Sequence, residues 1–170
     1  MIEKIELRTK LKSISMVSSN YSFNTLNKLN QHIENKIVCT YIPLKTEINI
    51  NMHLTTQSLL TTTCLTDNEI KICNYKDPLE LNSFGVYQPL NLEFVDNVDV
   101  FLVPGLGFDM SGNRLGKGSG IYDQILSKYT GSFFIGVTDS QHIVDQIPFE
   151  SHDISMNALI THDEFIEIKI

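Results

Sequence analysis

Long apolar stretches are missing from this sequence. No run approaches the roughly 18 residues that a membrane-spanning helix requires. The opening Met1-Ile2-Glu3-Lys4-Ile5-Glu6 alternates charge with isolated isoleucines, where a signal peptide carries a continuous apolar core. Cysteine is sparse as well. Cys39, Cys64 and Cys73 are odd in number and never spaced Cys-x-x-Cys, which excludes a zinc or disulfide framework and points to buried thiols in a reducing cytoplasm. Basic residues are few: 13 Lys and Arg against 20 Asp and Glu leave a net charge of −7, which argues against a nucleic-acid-binding surface. Histidines 32, 53, 142, 152 and 162 never form a His-x-x-x-His pair and read as structural or solvated. There is no Ser- or Cys-centred nucleophile constellation, no internal repeat and no linker, so the 170 residues are read as one domain.

What the chain does carry is a dense segment between residues 103 and 123. The apolar run Val98 to Val103 stops at Pro104, and six glycines follow, at 105, 107, 112, 116, 118 and 120, with Arg114 and Lys117 among them. A helix-compatible stretch starts straight after Gly120. A strand, a glycine loop and a helix start bring backbone N–H groups up to a phosphate, and two fixed cations strengthen the anion-site reading. The familiar phosphate loops do not fit. A P-loop needs Ser or Thr after its lysine and a glycine six positions before it, and here those positions hold Gly118 and Ser111. The dinucleotide fingerprint fails too, because Gly105-Leu106-Gly107 is followed by Met110 in place of a third glycine.

Either side of this segment the patterns are ordinary. Residues 2–18 place Ile2, Ile5, Leu11 and Ile14 among charged residues as an amphipathic helix, with Lys4 and Arg8 on one face. By spacing alone that pair is two solvated cations. A second helix is predicted with Ser22 as N-cap and Phe23, Leu26, Leu29 and Ile33 as its buried stripe. Residues 36–42 read as a buried strand ended by Pro43, and 53–60 as a short helix. Residues 64–66 and 69–75 form a hairpin around Asp67-Asn68, and 76–97 form mostly connection. Strands at 99–103 and 133–138 flank a helix over 120–128, an order that implies parallel pairing with helices on both faces. Residues 158–161 and 165–170 close the sheet.

The segment Pro104-Gly105, Phe108-Asp109, Gly112-Asn113-Arg114-Leu115-Gly116-Lys117-Gly118-Ser119-Gly120 and Tyr122-Asp123 closely resembles the signature of the 5-formyltetrahydrofolate cyclo-ligase family. Ile121 departs from it, standing where the family usually has an aromatic residue. The resemblance extends more thinly from Lys4 to Thr161. It implies a three-layer α/β sandwich with a mainly parallel central sheet, of the sugar-phosphate isomerase and CoA-transferase type. It also implies ATP-dependent closure of 5-formyltetrahydrofolate to 5,10-methenyltetrahydrofolate. In that chemistry the formyl oxygen attacks the γ-phosphate, and N10 then displaces phosphate from the activated carbon.

On this resemblance the ATP-binding set is Lys4, Arg8 and residues Gly112, Asn113, Arg114, Leu115, Gly116, Lys117, Gly118, Ser119 and Gly120. Ile42, Glu47 and Tyr122 fall at the folate, in its mono- or polyglutamylated form. Arg114 and Lys117 would act at the transferring phosphoryl group, because a planar guanidinium can grip two oxygens at once. An acid beside a phosphate loop repels its ligand unless a hard cation lies between them, so Asp123 is a Mg2+ candidate. Asp153 matches the family's second acidic position, although Asn157 replaces a further Asp there. The expected protein is a cytoplasmic monomer that engages neither nucleic acid nor membrane. Two other readings remain open: a folate-holding relative without turnover, and a sugar-phosphate isomerase on the same scaffold, which would need no nucleotide.

Overall fold

The computed structural model describes residues 3–16, 20–54, 57–66, 69–83 and 85–169. In chain order the elements are α1 (Lys4–Lys12), α2 (Phe23–Ile33), β1 (Ile37–Thr40), β2 (Leu59–Thr66), β3 (Glu69–Asn74), β4 (Leu79–Leu81), β5 (Tyr87–Pro89) and β6 (Val100–Pro104). They continue with β7 (Gly107–Asp109), β8 (Arg114–Leu115), α3 (Ile121–Leu126), β9 (Phe133–Val137), β10 (Ile143–Val144), β11 (Ala158–Ile160) and β12 (Phe165–Glu167).

Seven strands form the main sheet in the order β12-β11-β9-β6-β1-β2-β3. The inner pairs β1–β2, β1–β6, β6–β9 and β9–β11 are parallel, and the edge strands β3 and β12 are antiparallel. A parallel strand covered on both faces reads as an unbroken apolar run, and β6 is buried along its whole length. Val100 and Leu102 join the core under α2, while Phe101 and Val103 join the core under α3. These two cores on opposite faces of one sheet make the three layers.

The second helix begins as its sequence predicts, with Ser22 Oγ accepting from Thr25 N at 3.1 Å. Its stripe differs. Thr25, Leu29 and Ile33 are buried, and Phe23 is 78% exposed. At 3.6 residues per turn, Phe23 lies about 120° round the helix from Leu29 and off the core face. Likewise α1 is shorter than residues 2–18, and its buried residues are Leu7 and Leu11 with Ile14 half-buried, while Ile5 is exposed. Ile2 and the hairpin turn Asp67-Asn68 lie outside the described residues.

No helix forms over 53–60 among the described residues there. A 3-10 turn occupies Asn51–His53 and Leu59 already opens β2, whose threonines suit a strand paired on both sides. The connection over 76–97 contains the small β4–β5 ladder. The first strand ends at Thr40 rather than residue 42 because Asn51 draws the chain away, donating from Nδ2 to Tyr41 O at 2.8 Å.

The glycine segment is more ordered than a loop. β7 and β8 form a hairpin, and β10 adds alongside β7 to make a second, three-stranded sheet. Asp109, fully buried, ties its turn. Its Oδ1 accepts from Ser111 N (2.9 Å) and Asn113 N (3.0 Å), and its Oδ2 from Asn113 Nδ2 (3.0 Å) and Ile147 N (2.8 Å). Gly112 sits in that turn at φ +82, where an added Cβ would lie 2.5 Å from Met156 O. Left-handed strain and a backbone clash combine there. Gly112→Ala is therefore expected to lower stability by about 3 kcal/mol, read from urea unfolding; a midpoint within error of the wild type would contradict this packing.

Candidate functional site

The main cavity, about 980 Å³, opens beyond the carboxyl ends of β1, β2 and β6. This is where open α/β sheets place ligands, because the loops leaving adjacent strands diverge there. It is lined by residues of α1, of the segment 116–123, of the 41–47 loop and of β2, and by Pro148, Glu150, His152 and Asp153.

The helix α1 has two neighbouring faces with different tasks. Leu7 and Leu11 pack on Leu115 and Ile147. Lys4 and Arg8, one turn apart on the next face, turn into the cavity. Arg8 Nε donates to Gly116 O at 3.0 Å, which fixes the helix against the glycine segment. Lys4 Nζ lies 2.6 Å from Asp153 Oδ2 and 3.2 Å from Glu150 Oε1.

Arg114 is set deep. Its side chain is only 6% exposed, and Nη2 donates to Asp123 Oδ2 at 2.9 Å. The centre of the guanidinium lies 5.4 Å from the Tyr122 ring, within cation–π range. Gly116 lies directly against this guanidinium: a Cβ there would stand 2.7 Å from Arg114 Nη1, so a side chain at 116 would push the guanidinium aside. Arg114 Nε is buried without a partner among the described residues. Burial pushes the Tyr122 phenol far above its usual range, so the ring stays neutral.

Glu47, also in the lining, is held by its own loop: Leu44 N donates to Oε2 at 3.0 Å, and Glu47 N donates to Leu44 O at 2.9 Å. Its Oε1 receives Lys117 Nζ at 2.6 Å. Ile42 lines the same cavity.

The residues singled out from the sequence thus divide. Lys4, Arg8, Arg114, Gly116, Lys117, Gly118, Ser119, Gly120, Ile42, Glu47, Tyr122, Asp123 and Asp153 all line one cavity. Gly112, Asn113 and Leu115 are not among the residues that line it. Asn113 is turned to Asp109 and Ser155, Leu115 is fully buried beneath α1, and Gly112 packs against Met156. Sequence reasoning missed Glu150, which nothing local marks, because its partner Lys4 is nearly the whole chain away. It also gave Asp109 no task, although the Phe108-Asp109 pair was part of the recognised pattern.

The metal candidates are both paired with cations, Asp123 with Arg114 and Asp153 with Lys4. Among the described residues no cluster of three or more His, Cys, Asp or Glu side chains could hold an ion unaided. Both carboxylates nevertheless line the cavity, and Mg2+ takes one or two protein carboxylates and completes its shell from phosphate oxygens and water.

Burial opposes ionisation of Asp153, but hydrogen bonds from Lys4 Nζ and Glu150 N outweigh it and hold the carboxyl below its ordinary value of 3.8. A depressed carboxyl stabilises the fold above its unfolded-state value, and the contribution is lost as pH falls through the folded-state value. The stability gap between wild type and Asp153→Asn should therefore shrink in urea titrations as pH falls through the ordinary value of 3.8 and below it. A gap that stays constant would show that the carboxylate is not specifically held.

The three cysteines are free and buried, and among the described residues no helix is long and apolar enough to cross a membrane.

Fold and site together define a class: a three-layer α/β protein with paired cations and carboxylates in a cleft above a mainly parallel sheet. The sequence model of the 5-formyltetrahydrofolate cyclo-ligase family matches residues 2–162, and the chain belongs to that family. The 5-formyltetrahydrofolate cyclo-ligase of Mycolicibacterium smegmatis is 39% identical over 83 residues, 46% of this chain and 43% of that protein. The mitochondrial 5-formyltetrahydrofolate cyclo-ligase of Arabidopsis thaliana is 27% identical over 139 residues, 75% of this chain and 48% of that protein. The chain thus spans about half the length of these curated relatives, or less. The NMR structure of Aquifex aeolicus 5,10-methenyltetrahydrofolate synthetase superposes with a TM-score of 0.81 at 27% identity, covering 98% of this chain and 93% of that one. The Mycoplasma pneumoniae 5,10-methenyltetrahydrofolate synthetase shares the fold, with a TM-score of 0.68 at 21% identity over 95% of this chain and 99% of that one.

Proposed function

We propose that the chain catalyses ATP-dependent cyclisation of 5-formyltetrahydrofolate to 5,10-methenyltetrahydrofolate, releasing ADP and phosphate. One observation carries the proposal. On a molecule of net charge −7, Lys4, Arg8, Arg114 and Lys117 come from two distant segments to line a single cavity that Ile42 and Glu47 also line.

The chemistry asks for positioning and charge neutralisation more than for covalent participation. Lys4, Arg8 and Lys117 hold the triphosphate, and the guanidinium of Arg114 faces the oxygens of the transferring phosphoryl group. Glu47 accepts hydrogen bonds from the N–H groups of the folate ring, and Ile42 and Tyr122 flank it. The formyl oxygen forms a bond to the γ-phosphorus as the bond to ADP breaks. N10 then bonds to the formyl carbon as the carbon–oxygen bond to phosphate breaks, and the N10 proton leaves with the phosphate. Asp123 and Asp153 would hold Mg2+, which neutralises phosphate charge when bound.

Incubating pure protein with ATP, Mg2+ and 5-formyltetrahydrofolate is expected to give the near-ultraviolet band of the methenyl product in step with ADP. No product with any divalent metal would overturn the proposal. Glu47→Ala is expected to raise the KM for folate by about tenfold, since a charged hydrogen-bond acceptor is lost. A change confined to the KM for ATP would contradict the role of Glu47.

A further inference from the structure

Among the described residues four Lys or Arg pairs with carboxylates line the cavity, Lys4 holding both Asp153 and Glu150, and one of the four differs in kind. Arg114–Asp123 and Lys4–Asp153 each join groups assigned above to the nucleotide and its metal, so opening them is internal to one ligand's site. Glu47–Lys117 joins a group assigned to the folate with one assigned to the triphosphate. It bridges 70 residues of chain at 2.6 Å.

The partners are not equally fixed. Glu47 is 12% exposed, with its second oxygen held by Leu44 N. Lys117 is 40% exposed, on a stretch followed by Gly118 at φ +108 and the exposed Ser119 and Gly120. A flexible lysine can swing to a phosphate, while Glu47 stays where its loop sets it.

We infer that the Glu47–Lys117 ion pair is a latch across the cleft that makes the nucleotide and the folate bind with positive cooperativity; this rests on the function proposed above. A triphosphate competes with Glu47 for the ammonium of Lys117. A heterocycle bearing N–H donors competes with Lys117 for the carboxylate of Glu47. Whichever ligand arrives first must part the pair, and the second finds its protein partner already released. Linkage requires the effect to be equal in both directions.

The test measures the affinity of the intact chain for 5-formyltetrahydrofolate by calorimetry, with and without the non-hydrolysable imido analogue of ATP plus Mg2+. The converse titration is run as well. In the wild type, each ligand is expected to tighten the other by about fivefold, the low end of couplings between sites. In Lys117→Met and in Glu47→Gln the factor is expected to fall towards one, although both affinities also weaken. Repulsion between the two anionic ligands persists in the variants, so the difference from wild type isolates the ion pair. A wild-type factor of one, or a factor undiminished in Lys117→Met, overturns the latch. Lys117 is exposed enough for that variant to fold even if Glu47→Gln does not. Product formation by wild type with no coupling defeats the latch alone, whereas failure to bind either ligand or form product defeats the proposed function with it.

Discussion

Arg114→Ala is expected to lower kcat for methenyl formation by about 10³-fold, the lower end of what a phosphoryl-clamping arginine supplies. The depth of the residue makes the effect large. With its side chain 6% exposed, against Gly116 and beside the Tyr122 ring, the guanidinium acts where water screens little. The same depth means that the substitution also costs stability, because Asp123 at 18% exposure is left without its cation. The double variant Arg114→Met with Asp123→Asn tests the stability cost alone. Removing both charges should recover thermal stability. Turnover of Arg114→Ala at the wild-type rate, with both substrates saturating and product absorbance followed, would remove Arg114 from the chemistry.

Asp109→Ala is the second large effect, and it arises outside the cavity. The carboxylate is 1% exposed and satisfies four N–H donors, three in its own turn and one at Ile147. Deleting it leaves those donors buried or poorly hydrated, at about 1 kcal/mol each and therefore about 4 kcal/mol in total. For a chain of this size that is roughly a 10 °C fall in Tm. The turn immediately precedes Arg114, so kcat should also drop by more than about tenfold at temperatures where the variant is fully folded. Calorimetry and kinetics on one preparation check both. A lowered Tm with unaltered kcat would mean that the turn supports the fold and leaves the guanidinium's position untouched.

These two residues mark where sequence reading works and where it stops. Arg114 could be singled out because its neighbours Gly112, Gly116, Gly118 and Gly120 form a fixed local pattern. Asp109 lies in the same pattern, yet its purpose depends on Ile147, whose approach comes from the pairing of β10 with β7. A glycine-rich run read as an open loop became a hairpin for the same reason. Hairpin strands of two and three residues are too short for any periodicity to announce them. The exposed Phe23 and the missing helix over 53–60 are tertiary overrides, in which the direction of the core decided what local propensity could not.

The sequence by itself determined the unbroken apolar strands at the centre of the sheet, the helix start at Ser22, the family, and the set of cations available to an anion. Each is settled by neighbours within a few turns of chain, or by residue types at fixed spacing. Only the tertiary structure decided which carboxylate faces which cation. Lys4 meets Asp153 across 149 residues and Lys117 meets Glu47 across 70, contacts fixed by the order of strands in the sheet and by nothing local to either partner.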